Sequence, residues 1–122
     1  MNRTTQQTFV ACIATLLLAP LAALHATEAP RKSLPLSGEV FLVEGRTAFV
    51  ILPEAKPASR PIPWVWYAPT LPNLPGDAEK WMFERFSGAG IAIAGIDVGE
   101  SYGSPGGRAL YTAFYEALSG KM

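Results

Sequence analysis

Residues 91–98 read IAIAGIDV, residues 99–107 read GESYGSPGG, and residues 108–119 read RALYTAFYEALS. The first of these stretches decides the fold. It is apolar without alternation until Asp97, the pattern of a strand buried on both faces of a parallel sheet. Its alanines and Gly95 are small enough for helices to pack closely on it. The four glycines of 99–107 predict a loop. After it, Leu110, Ala113, Phe114, Ala117 and Leu118 recur at helical spacing, so a helix with one apolar face follows over 108–119. Gly120 suits its end and Lys121 its negative pole.

Upstream, Asp77 is a good N-cap for a helix in which Ala78, Met82 and Phe86 share a face that Trp81 and Phe83 widen, with Gly88 closing it. Residues 68–76 (APTLPNLPG) hold three prolines and cannot be regular structure, while 63–67 (PWVWY) is a short aromatic strand. Residues 40–43 and 47–52 are apolar, β-branched runs joined by Glu44-Gly45-Arg46, a β-hairpin in which Gly45 supplies a positive φ. Three prolines make 53–61 an exposed loop, and 27–37 reads as a flexible lead-in. The order is therefore a β-hairpin and then β-α-β-α, the start of an α/β sheet with an antiparallel edge. A further parallel strand is expected beside 91–98. Without it that strand is an open apolar edge, which a partner chain could cover.

The N-terminal stretch needs its own account. Arg3 precedes an apolar run over 9–24 (FVACIATLLLAPLAAL), and small residues follow at Ala26 and Ala29. This is the layout of a secretory signal peptide over 1–26, cleaved after Ala26 or else after Ala29. The run is shorter than the ~20 residues of a spanning helix and Pro20 interrupts it, so no stable membrane span is expected after cleavage. The expected destination is secreted or periplasmic. Ten basic and ten acidic side chains among 122 residues cancel, so nothing draws the chain to nucleic acid.

Cleavage would also change the chemistry. Cys12 and His25 are the single cysteine and histidine, and both would leave with the signal. The remainder would have no imidazole to take a serine proton near neutral pH and no Cys/His set for zinc. No cofactor or metal is expected.

The strand order, together with WVWYAPTLPNLPG and GIAIAGIDVGESYGSPGG, resembles the N-terminal half of an α/β-hydrolase. The likeness covers 38–122 and is nearest to secreted esterase-like or prolyl-oligopeptidase-like members. In that family a hairpin precedes the strand that ends at the oxyanion loop, followed by helix, strand, helix and the nucleophile strand. The resemblance implies that backbone N–H groups just after Ala68 form half of the oxyanion hole. Pro69 has no N–H, so Thr70 or Leu71 would donate, and the His-Gly pattern common at this place is absent.

Residues 99–103 (GESYG) form a literal G-x-S-x-G behind a strand, with Ser101 in the nucleophile position. A nucleophile elbow passes directly into its helix. Here 104–107 intervene before the helical pattern, and in the family order the loop lies one strand early, so Ser101 is a weak candidate and reads better as a loop serine. Asp97 and Glu100 read as solvated loop charges, and the glycines before the second helix as a turn. Trp64 and Trp66 fall on one face of their strand, where packing into a core is the plainer use.

Three functions follow. The first is the N-terminal portion of a secreted α/β-hydrolase, whose complete relatives cleave esters or amides and which is itself inactive. The second is a small exported binding module with Trp64, Trp66 and Tyr67 as an aromatic platform. The third is a non-functional remnant.

Overall fold

The computed structural model describes residues 30–54 and 60–122. The expected signal peptide, its cleavage sites, Cys12 and His25 lie outside the described residues. The elements are β1 (Glu39–Val43), β2 (Arg46–Ile51), β3 (Trp64–Trp66), a 3-10 turn (Asp77–Glu79), α1 (Lys80–Gly88), β4 (Ala92–Ile96) and α2 (Pro105–Ser119). They build a four-stranded mixed sheet and two helices, an α/β arrangement.

The sheet order is β1-β2-β4-β3. β1 and β2 form the hairpin, with Glu39 opposite Val50 and Val43 opposite Arg46. Both turn residues are left-handed, Glu44 at φ 48° and Gly45 at φ 73°. This is the backbone that matches the twist of a two-residue hairpin. β2 pairs antiparallel with β4, and β3 pairs parallel with β4. The strand read from 91–98 is therefore the centre of the sheet, covered on both sides, and not an open edge. The edges are β1 and β3. Strand pairing is non-local, so nothing within 91–98 could reveal its two neighbours.

Every residue of β4 is buried, and the alternation of β2 and β4 divides the core in two. Ala48, Val50, Ala94 and Ile96 face α2 through Phe114 and Leu118. Phe49, Ile51 and Ile93 face α1 through Phe83. The helices thus lie on opposite faces of one sheet. Gly95 has no room for a side chain: a Cβ there would meet the Tyr67 carbonyl and the Phe49 ring at 2.7 Å.

Several local boundaries differ from the sequence expectations. Asp77 opens the 3-10 turn, and the cap is the Gly76 N–H donating to Glu79 Oε2 at 2.8 Å. The residue with positive φ behind α1 is Gly90, at 78°, rather than Gly88. α2 starts at Pro105, three residues before the expected start at Arg108, because Ser104 caps it and proline is well suited to a first helical position. Trp81 and Ala117 are exposed, while Tyr111 takes a place on the buried side. The lead-in is fastened to the domain in its described part: Leu34 and Leu36 pack on the α1-side core.

Candidate functional site

Because β3 and β4 are parallel and their following helices lie on opposite faces, the loops behind them diverge at one end of the sheet. The crevice outside the carboxyl ends of strands at such a switch point is where open α/β sheets take ligands. The two loops that would wall such a crevice here are those over 67–76 and 97–104.

The first wall is stiffened by prolines. Pro69 and Pro75 are buried, Thr70 and Leu71 are exposed, and Leu74 N–H closes a turn onto the Leu71 carbonyl at 3.1 Å. At its root the Tyr67 N–H donates to the Ala94 carbonyl at 2.8 Å, continuing the parallel ladder. The Tyr67 ring turns toward Phe83 and Phe49 on the α1 side. Burial, then the Glu79 carboxylate and the hydrogen bond to it, push the Tyr67 hydroxyl above its ordinary pKa.

The second wall begins at Asp97, whose N–H donates to the Thr47 carbonyl at 2.8 Å. Tyr102 and Gly103 are both left-handed, at φ 47° and 70°, and the Ser104 N–H returns to the Ser101 carbonyl at 2.9 Å. Ser104 Oγ then accepts the Gly107 N–H at 3.2 Å and caps α2. Gly107 brings the first turn of α2 hard against Ser101, since a Cβ at 107 would lie 2.5 Å from the Ser101 Cβ. Ser101 is half-buried beneath that turn, separated from α2 by three residues and attached to the support of the helix.

Between the walls stands a charge that the sequence did not single out. The Lys32 ammonium donates to Asp97 Oδ1 at 2.7 Å, Asp97 Oδ2 at 2.9 Å and the Pro72 carbonyl at 2.9 Å. The Lys32 side chain is only 3% exposed and that of Asp97 21%. Asp97 is thus half of a partly buried ion pair and not a solvated loop charge, while Glu100 is exposed. Sequence reasoning missed the pair because its partners lie 65 residues apart and Lys32 sits in a polar, proline-flanked stretch.

Comparison with family models, curated proteins and solved structures returned no match.

Trp64 and Trp66 do share a face, and they spend it on α2: Trp66 packs edge-on to Tyr111 and Phe114, and Trp64 edge-on to Phe114. With Tyr67 on the opposite side of the sheet, the three rings form no common platform. Two open clefts, of about 370 and 450 Å³, lie elsewhere, one bounded by Gly38, Ile51, Glu54 and Ser87 and the other by Trp64, Tyr115, Leu118 and Met122. The Ser87 hydroxyl in the first accepts the Glu54 N–H at 3.0 Å. Among the described residues no acidic, His or Cys group could hold a metal ion, and no helix is long and apolar enough to cross a membrane.

Proposed function

We propose that this chain is the N-terminal portion of a secreted α/β-hydrolase, a contributor to ester or amide hydrolysis in the complete enzyme and inactive by itself. The observation that carries the reading is the parallel β3–β4 pair with helices on opposite faces, which brings the loops 67–76 and 97–104 to one end of the sheet. In α/β-hydrolases the loop between the third strand and the first helix supplies one oxyanion N–H, and the residue after the nucleophile supplies the other. Thr70 and Leu71 are exposed on the corresponding loop here. The nucleophile would come from a further strand.

The sheet also favours an addition at a particular place. Pro63 accepts from Ala92, and Tyr67 donates to Ala94. By the alternation of a parallel ladder, the N–H and C=O groups of Trp64 and Trp66 point away from β4. β3 is therefore the edge on which a further strand, in the same chain or a partner chain, would pair. The absence of histidine from 27–122 accounts for inactivity of the isolated portion.

Two measurements test this. The coding DNA beyond the Met122 codon is expected to continue into an apolar strand followed by G-x-S-x-G, and an in-frame stop there with no such segment in any frame counts against the reading. The purified chain is expected to show no p-nitrophenyl acetate turnover and no fluorophosphonate labelling. Turnover that disappears in Ser101→Ala would make Ser101 the nucleophile and overturn it.

A further inference from the structure

We propose that Lys32 is a positioning residue, an ammonium clamp that holds the proline loop over 67–76 to the end of β4 and so fixes where Thr70 and Leu71 present their N–H groups. This rests on reading that loop as one wall of the ligand crevice.

An ammonium has three protons and no acceptor. Lys32 meets three oxygens, two on Asp97 and one on Pro72, each at 2.9 Å or less. Its donor set is complete. Burying an ammonium is costly unless it is paired and hydrogen-bonded, so a Lys at 3% exposure with all three donors used is held in one geometry. A solvent-exposed pair such as Lys121 with Glu39, 34% and 55% exposed, carries no such constraint.

The two partners differ in stiffness. Asp97 is anchored through its own N–H to β2 and extends the fully buried β4. Pro72 lies in an exposed turn within a loop that has no ladder of its own past Tyr67. The lysine therefore passes the fixed position of the sheet to the loop. Leu34 and Leu36, packed in the α1-side core, hold the segment that delivers it. The clamp acts two residues from Thr70 and one from Leu71, close enough for its loss to reorient their N–H groups.

Amide hydrogen exchange of the whole chain tests the clamp. In Lys32→Met the amide of Leu74, which donates to the Leu71 carbonyl inside the loop, is expected to exchange at least about tenfold faster relative to those of Ile93–Ile96, which report opening of the sheet. Lys32→Ala should regain protection in propylammonium, which restores the three donors, and not in tetramethylammonium, which has charge but no N–H. Should Lys32→Met fail to fold because Asp97 is left unpaired, Lys32→Met/Asp97→Asn removes the stranded charge, and its Leu74 amide should still exchange fast. Equal acceleration in loop and sheet, or rescue by tetramethylammonium as good as by propylammonium, would overturn the clamp. Neither readout involves hydrolysis, so a failed clamp leaves the hydrolase reading in place, and an inactive or active chain leaves the clamp untouched.

Discussion

Gly95→Ala places one methyl group at the most crowded point of the sheet. The new Cβ would overlap the Tyr67 carbonyl and lie 2.7 and 3.0 Å from two ring carbons of Phe49, which is itself fully buried. A ring can tilt, but the Tyr67 carbonyl is backbone, and moving it strains the 2.8 Å bond from Tyr67 N–H to Ala94 that holds β3 to β4. Overpacking of this kind costs about 1–3 kcal/mol, and loss of the hydrogen bond adds about 1 kcal/mol. Replacing glycine by alanine returns about 0.5–1 kcal/mol by stiffening the unfolded chain. The expected net loss is about 1–3.5 kcal/mol, a drop in Tm of roughly 5–30 °C for a domain of this size. Gly88→Ala is the matched control, since nothing lies within 4 Å of its Cβ and it sits in α1. It should stabilise by about 0.5–1 kcal/mol. Urea unfolding followed by tryptophan fluorescence measures both. A Gly95→Ala variant within about 0.5 kcal/mol of the parent, a shift expected of ordinary surface changes, would refute the close approach of β3 to β4.

Ser104→Ala removes the side-chain cap of α2 and should lower the unfolding free energy by about 1 kcal/mol, read as a shifted urea midpoint with an unchanged slope. Phe114→Ala empties the place where Phe41, Trp64 and Trp66 meet α2. It should cost about 3–5 kcal/mol, checked by the same titration and by a change in tryptophan emission. Tyr67 has its hydroxyl pKa raised by burial and by Glu79, so its neutral form is the one that folding favours. Its contribution is whole below the unfolded tyrosine pKa of about 10 and is lost as pH rises through the higher folded value. Tyr67→Phe should therefore flatten the fall in stability measured by urea unfolding between about pH 9 and 11, and an unchanged alkaline slope would contradict that.

The candidate site was less legible in the sequence than the elements that carry it. Thr70, Leu71 and Ser101 were visible as loop residues behind strands because prolines and glycines punctuate the chain there. The Lys32–Asp97 pair was not, because a charge in a polar stretch looks solvated until the fold brings a partner to it. The aromatic run 64–67 was seen as a strand, but the side taken by Tyr67 became useful only when α1 and α2 were found on opposite faces.

What the sequence determined by itself is local: which stretches are strands and which are helices, in which order, and that the apolar run ahead of Asp97 is a buried strand, as Ala92–Ile96 are. Apolar periodicity and the backbone limits of glycine and proline act between near neighbours, so they are written where they act. Only the tertiary structure decided that β4 lies between β2 and β3, that β1 and β3 are the edges, and that a lysine 65 residues before Asp97 ties it to the Pro72 carbonyl. Those choices depend on which surfaces exclude water together, a property that no single segment contains.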